Sequence, residues 1–284
     1  MKYFKLGLSS CSKPLCEELF ENYRRAGIEA MEVSLGVDGY ATLDLAALRR
    51  MADARGVELW SLHLPFCPFD MIDISKPELA DKTVDYFADL IKKGSLVGID
   101  KFIIHPSGEP IKPEDRALRM ATAKASLARL AEIAKGYGAV IAVEDLPRTC
   151  LGNTAAEIAE LISVHPDLRV CFDTNHLLTE DAADFVRSLG DKIITTHVSD
   201  YDFLNERHWL PGEGKLDWQS IVNTLREVNY GGPWLYELGF DCPKTLIRER
   251  ELTCEDFSRN AAEIFENRPL TVISTVMPDL KSWK

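Results

Sequence analysis

A short apolar run, a polar loop and a longer amphipathic stretch follow one another repeatedly along the chain. The apolar runs are rich in β-branched and aromatic side chains, which is typical of parallel strands buried on both faces. Eight runs are therefore predicted to be strands: 4–9, 30–35, 58–64, 101–106, 140–146, 169–174, 193–199 and 233–239.

The stretches between these runs have the periodicity of amphipathic helices. In the fourth stretch, Leu127, Leu130 and Ala134 fall on one face, while Arg129 lies off it. The predicted helices are 14–26, 43–55, 76–97, 114–136, 154–163, 180–189, 217–228 and 253–267.

Eight strand–helix units predict a single-domain α/β protein with the (β/α)₈ TIM-barrel fold over residues 1–267. An open doubly wound sheet is the alternative, but no GxGxxG motif follows the first strand, which disfavours a dinucleotide-binding fold. The segment 268–284 follows the last helix. Its apolar residues predict that this C-terminal extension packs on the barrel or on a partner subunit, so a homo-oligomer remains open.

Histidine and acidic residues recur at the C-terminal ends of the predicted strands. They are His63, His105, Glu144, Asp173, His197 and Glu237, with His176 shortly after the sixth strand. In a barrel these ends meet at one rim, where such enzymes have their active sites. Each residue alone has a structural explanation: a hydrogen-bonded histidine, an N-cap for Asp173, or a buried salt bridge for the glutamates. Together they favour one site that binds a divalent metal, Mn²⁺, Mg²⁺, Co²⁺ or Zn²⁺.

The loop after the seventh strand carries a second set of candidates. Glu206 and His208 alternate around Arg207, so in an extended segment their side chains would face the same way. They could hold an extra metal together with His176, and Arg207 could clamp a carboxylate or a phosphate. A solvated loop with a turn is the other interpretation.

The net charge of −12 bears on which class of partner the protein can bind. A field of that sign repels phosphate backbones, so we expect no nucleic-acid partner. The 46% of hydrophobic residues exclude a disordered chain, and no apolar run is long enough to predict a membrane span.

The seven scattered cysteines predict reduced thiols and a cytoplasmic location.

Seven strand-end motifs resemble, in their order along the chain, those of the xylose-isomerase-like TIM-barrel superfamily, AP endonuclease family 2. The motifs are LHLP, IIHPS, VEDLP, FDTNH, HVSD, RHWLPGEGKLDW and YELG. The resemblance covers roughly residues 1–267. That superfamily includes sugar and sugar-phosphate isomerases and epimerases, inosose-type dehydratases and zinc endonucleases of the endonuclease-four type. Similarity to the epimerases implies one metal held by four residues, of which the two glutamates also act as the acid–base pair. These ligands are Glu144, Asp173, His197 and Glu237.

Similarity to the endonucleases extends to four histidines, and it implies extra metals at His63 and His105 or at His176, Glu206 and His208. The endonucleases have an aspartate where this chain has Glu206, which leaves a third metal open. The strongly negative charge favours a sugar or polyol as substrate. We therefore expect a metal-dependent sugar (or sugar-phosphate) isomerase or epimerase that transfers a proton through a metal-stabilised enediolate. The residues expected to bind the substrate are His63, His105, His176, Arg207 and His208.

Three other functions remain open at this point. An inosose-type dehydratase would begin with the same proton abstraction, and a zinc phosphodiesterase would cut abasic DNA. A barrel that binds a metal without catalysis is the third.

Overall fold

Eight parallel strands form a nearly closed barrel, as predicted. The structure, a computed structural model, describes residues 4–11 and 13–278 of the chain. The strands are β1 Leu6–Ser9, β2 Ala30–Ser34, β3 Glu58–His63, β4 Lys101–Ile104, β5 Val140–Glu144, β6 Arg169–Asp173, β7 Ile193–His197 and β8 Trp234–Tyr236. Strands β1 to β7 are neighbours in chain order, and β8 pairs with β1. The junction of β7 and β8 has one parallel bridge, between Val198 and Tyr236.

Helices follow the strands around the barrel. They are α1 Glu17–Ala26, α2 Val37–Thr42, α3 Leu45–Arg55, α4 Pro77–Leu96, α5 Arg116–Gly136, α6 Ala155–Ile162, α7 Ala182–Leu189, α8 Trp218–Glu227 and α9 Cys254–Phe265. Each predicted helical stretch contains one of them. The short helix α2 was not predicted, because a helix this short has little periodicity. Tyr40 anchors it by donating its hydroxyl hydrogen bond to the carbonyl oxygen of His63 at 2.5 Å.

Seven of the eight strands end earlier than the apolar runs suggest. The run 140–146 becomes a strand only as far as Glu144, because Asp145 turns its carboxylate to accept the Asp173 backbone N–H at 2.7 Å. Leu146 then donates its N–H to the carbonyl of Gly152 at 3.2 Å, inside the following loop. Side chains just beyond a strand end therefore belong to loops, whose directions the sequence pattern does not predict.

The described part of the C-terminal extension contacts the barrel. Two short strands, β9 Leu246–Arg248 and β10 Ser274–Val276, form an antiparallel pair that was not predicted. Thr271 donates both its backbone N–H and its hydroxyl to the Glu263 carboxylate of α9, at 2.8 and 2.7 Å. Residues 279–284 of the predicted extension lie outside the described residues.

Apolar side chains fill the core of the barrel, and polar side chains collect at one of its ends. Between the sheet and the helices, side chains such as Phe87, Phe172 and Phe185 are at most 2% exposed, and each contributes about 1.5–3 kcal/mol by burial. Inside the barrel, Ile103 and Ala142 pack with Cys171 in a small apolar layer. The polar strand ends lie beyond this layer, at the C-terminal rim. Among the described residues, no helix combines the length and apolarity needed to cross a membrane.

Candidate metal centre

Four predicted ligands from four neighbouring strand ends meet at the rim. One ligand atom from each of Glu144, Asp173, His197 and Glu237 lies within 4.8 Å of the other three. The Nδ1 atom of His197 is 3.2 Å from Glu144 Oε1, 3.2 Å from Glu237 Oε2 and 3.9 Å from Asp173 Oδ2. One cation could therefore contact all four side chains.

The hydrogen bonding of these atoms tests whether a metal fits. Among the described residues, Glu144 Oε1, Asp173 Oδ2 and His197 Nδ1 are buried and have no hydrogen-bond partner. Each unsatisfied buried polar atom costs about 1–3 kcal/mol, so three in contact are unfavourable unless something else binds them. Carboxylate oxygens and an imidazole nitrogen are ligands for Mn²⁺, Co²⁺ and Zn²⁺. The donor set therefore fits a divalent metal.

A buried acid behind His197, Glu32, fixes the orientation of that ring. The carboxylate of Glu32 on β2 is 3.1 Å from His197 Nε2 and accepts the Ser61 hydroxyl at 2.8 Å. All three side chains are fully buried. With Nε2 engaged by Glu32, Nδ1 faces the other ligands, an arrangement common behind metal-bound histidines. Sequence analysis missed Glu32, although an acidic residue inside the apolar run AMEVSL was a usable signal.

Two histidines share the second oxygen of Glu144. Its Oε2 is 3.0 Å from His63 Nε2 and 3.3 Å from His105 Nε2. The other ring nitrogen of His63 bonds the Leu64 carbonyl at 2.9 Å. Phe66, which sequence analysis also missed, stacks on His105 with ring centroids 4.4 Å apart. The atoms of His63, His105 and Glu144 form a second group that could hold a metal ion.

The third group of candidate ligands is His176, Glu206 and His208. Glu206 Oε1 lies 2.9 Å from His208 Nε2 and 3.7 Å from His176 Nε2. The other oxygen of Glu206 is 2.8 Å from the guanidinium of Arg148, which also binds the carboxylate of Glu109. Arg148 has a left-handed backbone, with φ of 56°. Sequence analysis did not select this arginine.

Arg207 is placed differently from the other predicted site residues. Its guanidinium pairs with Asp202 at 3.0 Å, and its side chain is only 5% exposed. Asp202 lies in the same loop, so this ion pair is local in sequence. Arg148 contacts the third ligand group through Glu206.

The site concentrates negative charge in a buried space. Burial raises the pKa of Asp173 to about 7 against the opposing charge of His176. Burial would also raise the pKa of Glu144, but His197 and His105 hold it well below its usual value. For His63 the effect of burial is to lower the pKa, yet the hydrogen bond with Glu144 raises it to about 9. Burial disfavours the charged form of all three groups, and a neighbouring group of opposite charge overcomes this effect for Glu144 and His63.

Comparisons with known proteins identify the family and the fold. A family model described as a xylose isomerase-like TIM barrel matches residues 20–254. The D-psicose 3-epimerase of Enterocloster bolteae is 26% identical over 265 residues, covering 84% of this chain and 85% of the relative. That of Agrobacterium fabrum is 25% identical over 233 residues, covering 76% and 77%. A crystal structure of a D-tagatose 3-epimerase-like protein superposes with a TM-score of 0.78 at 21% identity, covering 93% of this chain and 96% of the other.

Proposed function

The chain belongs to the xylose isomerase-like TIM barrel family, and we propose that it is a divalent-metal-dependent sugar isomerase or epimerase. The observation that carries this proposal is the meeting of Glu237 at the barrel rim with three buried ligand atoms that have no hydrogen-bond partner among the described residues. The epimerase relatives support a sugar or polyol as the substrate. All seven cysteines are free, which supports a reducing, cytoplasmic location.

Glu144, Asp173, His197 and Glu237 would hold the metal, which supplies Lewis-acid stabilisation of negative charge on substrate oxygens when bound. The two glutamates approach the same atom of one imidazole, each 3.2 Å from His197 Nδ1. One of them removes the proton from the carbon next to the substrate carbonyl. The other returns a proton, to the opposite face in an epimerase or to the neighbouring carbon in an isomerase. Glu237 is the more accessible, with its side chain 14% exposed against 1% for Glu144.

Residues around this pair would orient the substrate. His63, His105, His176 and His208 lie in the two other candidate ligand groups and would hydrogen-bond hydroxyl groups of the substrate. Phe66 is 38% exposed and stacks on His105, so it offers an apolar surface to the C–H face of a sugar ring.

A second candidate function has its own supporting observation. The groups His63–His105–Glu144 and His176–Glu206–His208 also have metal-ligand spacing, which favours up to three ions and a zinc phosphodiesterase acting on abasic DNA. Glu206 keeps its carboxylate 2.9 Å from His208, so the change from aspartate leaves a ligand in place. The net charge of −12 opposes binding of a polyanion, so we rank this function second. An inosose-type dehydratase would use the same first proton transfer.

Deuterium exchange tests the proposal directly. A panel of ketoses and inososes is incubated with the protein in heavy water, with Mn²⁺, Mg²⁺, Co²⁺ or Zn²⁺, and deuterium at the carbon next to the carbonyl is measured by NMR. We expect exchange on at least one ketose, its loss on chelation, and its return when metal is added back. Cleavage of an abasic duplex without exchange on any sugar would favour the second function instead.

A further inference from the structure

Cys171 is the strand neighbour of Glu144 inside the barrel. In the register of the parallel sheet, Glu144 of β5 pairs with Cys171 of β6, whereas Asp173 pairs with His197 of β7. Cys171 and Asp173 are two residues apart on one strand, so their side chains face the same side, about 6–7 Å apart along it. Cys171 thus lies one step deeper in the barrel than Asp173.

Three side chains converge at this deeper level. The ligand atoms of Glu144, Cys171 and His197 all lie within 4.8 Å of one another, and the three residues are fully buried. Glu144 Oε1 and His197 Nδ1 are unpartnered among the described residues, and Cys171 is a free thiol. On its other side Cys171 packs against Ile103 and Ala142, which offer no polar atom.

We propose that Glu144, Cys171 and His197 form a second, mutually exclusive metal site that takes thiophilic divalent ions such as Cd²⁺ and Zn²⁺. Thiolate and imidazole favour such ions, whereas carboxylate-rich sets suit Mg²⁺ and Mn²⁺. When the sulfur–metal bond forms, the thiol releases its proton to solvent. Because the deeper site uses Glu144 and His197, which the proposed function also assigns as ligands, only one ion binds at a time. A thiophilic ion then lies away from Asp173 and Glu237 and competes with the ion that supports activity.

The ultraviolet sulfur-to-cadmium charge-transfer band tests the deeper site without any activity assay. The exposed cysteines Cys16, Cys67 and Cys242 and the partly exposed Cys11 are first replaced by serine, because they would add their own bands. Titrating this metal-free background with Cd²⁺ should give the band, complete at one ion per chain. Adding Cys171→Ser should abolish the band and weaken Cd²⁺ binding at least about tenfold. Replacing Cys254, a buried cysteine of α9, by alanine is the matched control and should leave the band intact.

Two further measurements separate the deeper site from the four-residue site. Glu237→Gln should weaken Mn²⁺ binding, followed by electron paramagnetic resonance, while the Cd²⁺ band remains. Cys171→Ser should leave Mn²⁺ binding unchanged, and Cys171→Ala serves if the serine variant melts early. A Cd²⁺ band that survives in both Cys171 variants, or that Glu237→Gln removes, would overturn the inference. Failure to find sugar exchange with Mn²⁺ would contradict the proposed function and leave the band as it is.

Discussion

At the scale of the residue, the polar atoms at the rim differ in whether another side chain satisfies them. His197 has Glu32 on its Nε2 side and no hydrogen-bond partner at Nδ1 among the described residues. The ring therefore has a fixed side and an open side. Its role as a ligand depends on an acid that reaches it from β2, five strands away along the sheet.

Replacing Glu32 by glutamine should weaken metal binding. The amide keeps the size of the side chain but removes the negative charge that holds His197 Nε2–H, so divalent-ion affinity should fall about 10–100-fold. Isothermal titration with Mn²⁺ measures the change. The matched control is Glu58→Gln on β3, an exposed acid paired with Lys5, which should leave the affinity unaltered. Equal affinities in wild type and Glu32→Gln would contradict the positioning role.

Replacing Glu237 by glutamine should stop proton transfer while leaving the barrel folded. The amide cannot act as a base, so deuterium exchange should fall at least about 10²-fold. Asp241→Asn in the same loop, whose side chain is 77% exposed, is the control and should retain exchange. Undiminished exchange in Glu237→Gln would remove this residue from the acid–base pair.

The residue scale also shows where prediction from sequence ends. His63, Asp173 and His197 could be predicted, because strand ends of a barrel converge wherever the loops go. The position of the Arg207 side chain depends on its ion pair with Asp202 in the same loop. Arg148 contacts Glu206 from a left-handed backbone conformation, which the sequence pattern does not predict. Neither leaves a periodic trace in the sequence.

At the scale of the element, the connections decide how the rim is held. The loop after β7 is fastened by Asp200, whose carboxylate accepts the Trp218 indole N–H at 3.0 Å and the Gly212 backbone N–H at 2.8 Å. A side-chain carbon at Gly214 would lie 2.2 Å from Asp200 Oδ1, so only glycine fits there. The turn was predictable from its glycines. The Gly212 backbone N–H of this turn donates to the chain's own aspartate, Asp200.

The ion pair between Glu213 and Arg248 joins this loop to β9. Its N–O distance is 2.7 Å, with side-chain exposures of 1% and 0%. Arg248→Met leaves a buried carboxylate without its cation, so the free energy of unfolding should fall by about 3–5 kcal/mol. Urea denaturation measures this loss. The double variant Arg248→Met/Glu213→Leu should recover much of it, and a loss under 1 kcal/mol in the single variant would argue against a tight pair.

The first turn of α9 makes a testable contribution to pH dependence. Asp256 is buried, yet its hydrogen bonds with Arg250, Arg259 and the Thr253 backbone N–H hold its pKa below the usual value. A lowered pKa in the folded state stabilises the protein above the unfolded value of about 4, and this stabilisation is lost as the pH falls below it. Asp256→Asn should therefore be less stable than wild type at pH 7. The difference in unfolding free energy should shrink below pH 4, and one that is constant down to pH 2 would contradict this assignment.

At the scale of the whole molecule, the order of the strands was predictable and the outer additions were not. Eight apolar runs with intervening helices specify a barrel, because each run must be buried on both faces. Helix α2 and the pair β9–β10 are too short to have a distinct pattern. Their places depend on contacts distant in sequence, such as that of Tyr40 with His63.

Metal binding should stabilise the whole barrel. An ion that binds only the folded chain adds about 2.7 kcal/mol at a hundredfold excess over its dissociation constant, which raises the melting temperature by a few degrees. Differential scanning calorimetry with Mn²⁺ and with chelator measures this shift. Asp173→Asn should reduce it, because one ligand charge is lost. A melting temperature independent of Mn²⁺ would count against the four-residue centre.

The single bridge between β7 and β8 gives the bound ion a mechanical role as well. His197 and Glu237 stand on opposite sides of that junction, where Val198 donates its N–H to Leu235 at 2.8 Å and Glu237 donates its own to Val198 at 3.2 Å. An ion held by both side chains would cross-link β7 and β8, the two neighbouring strands joined by one bridge. Amide protons at Val198 and Glu237 should then exchange with solvent more slowly in the loaded protein, so occupancy could be followed from the backbone alone.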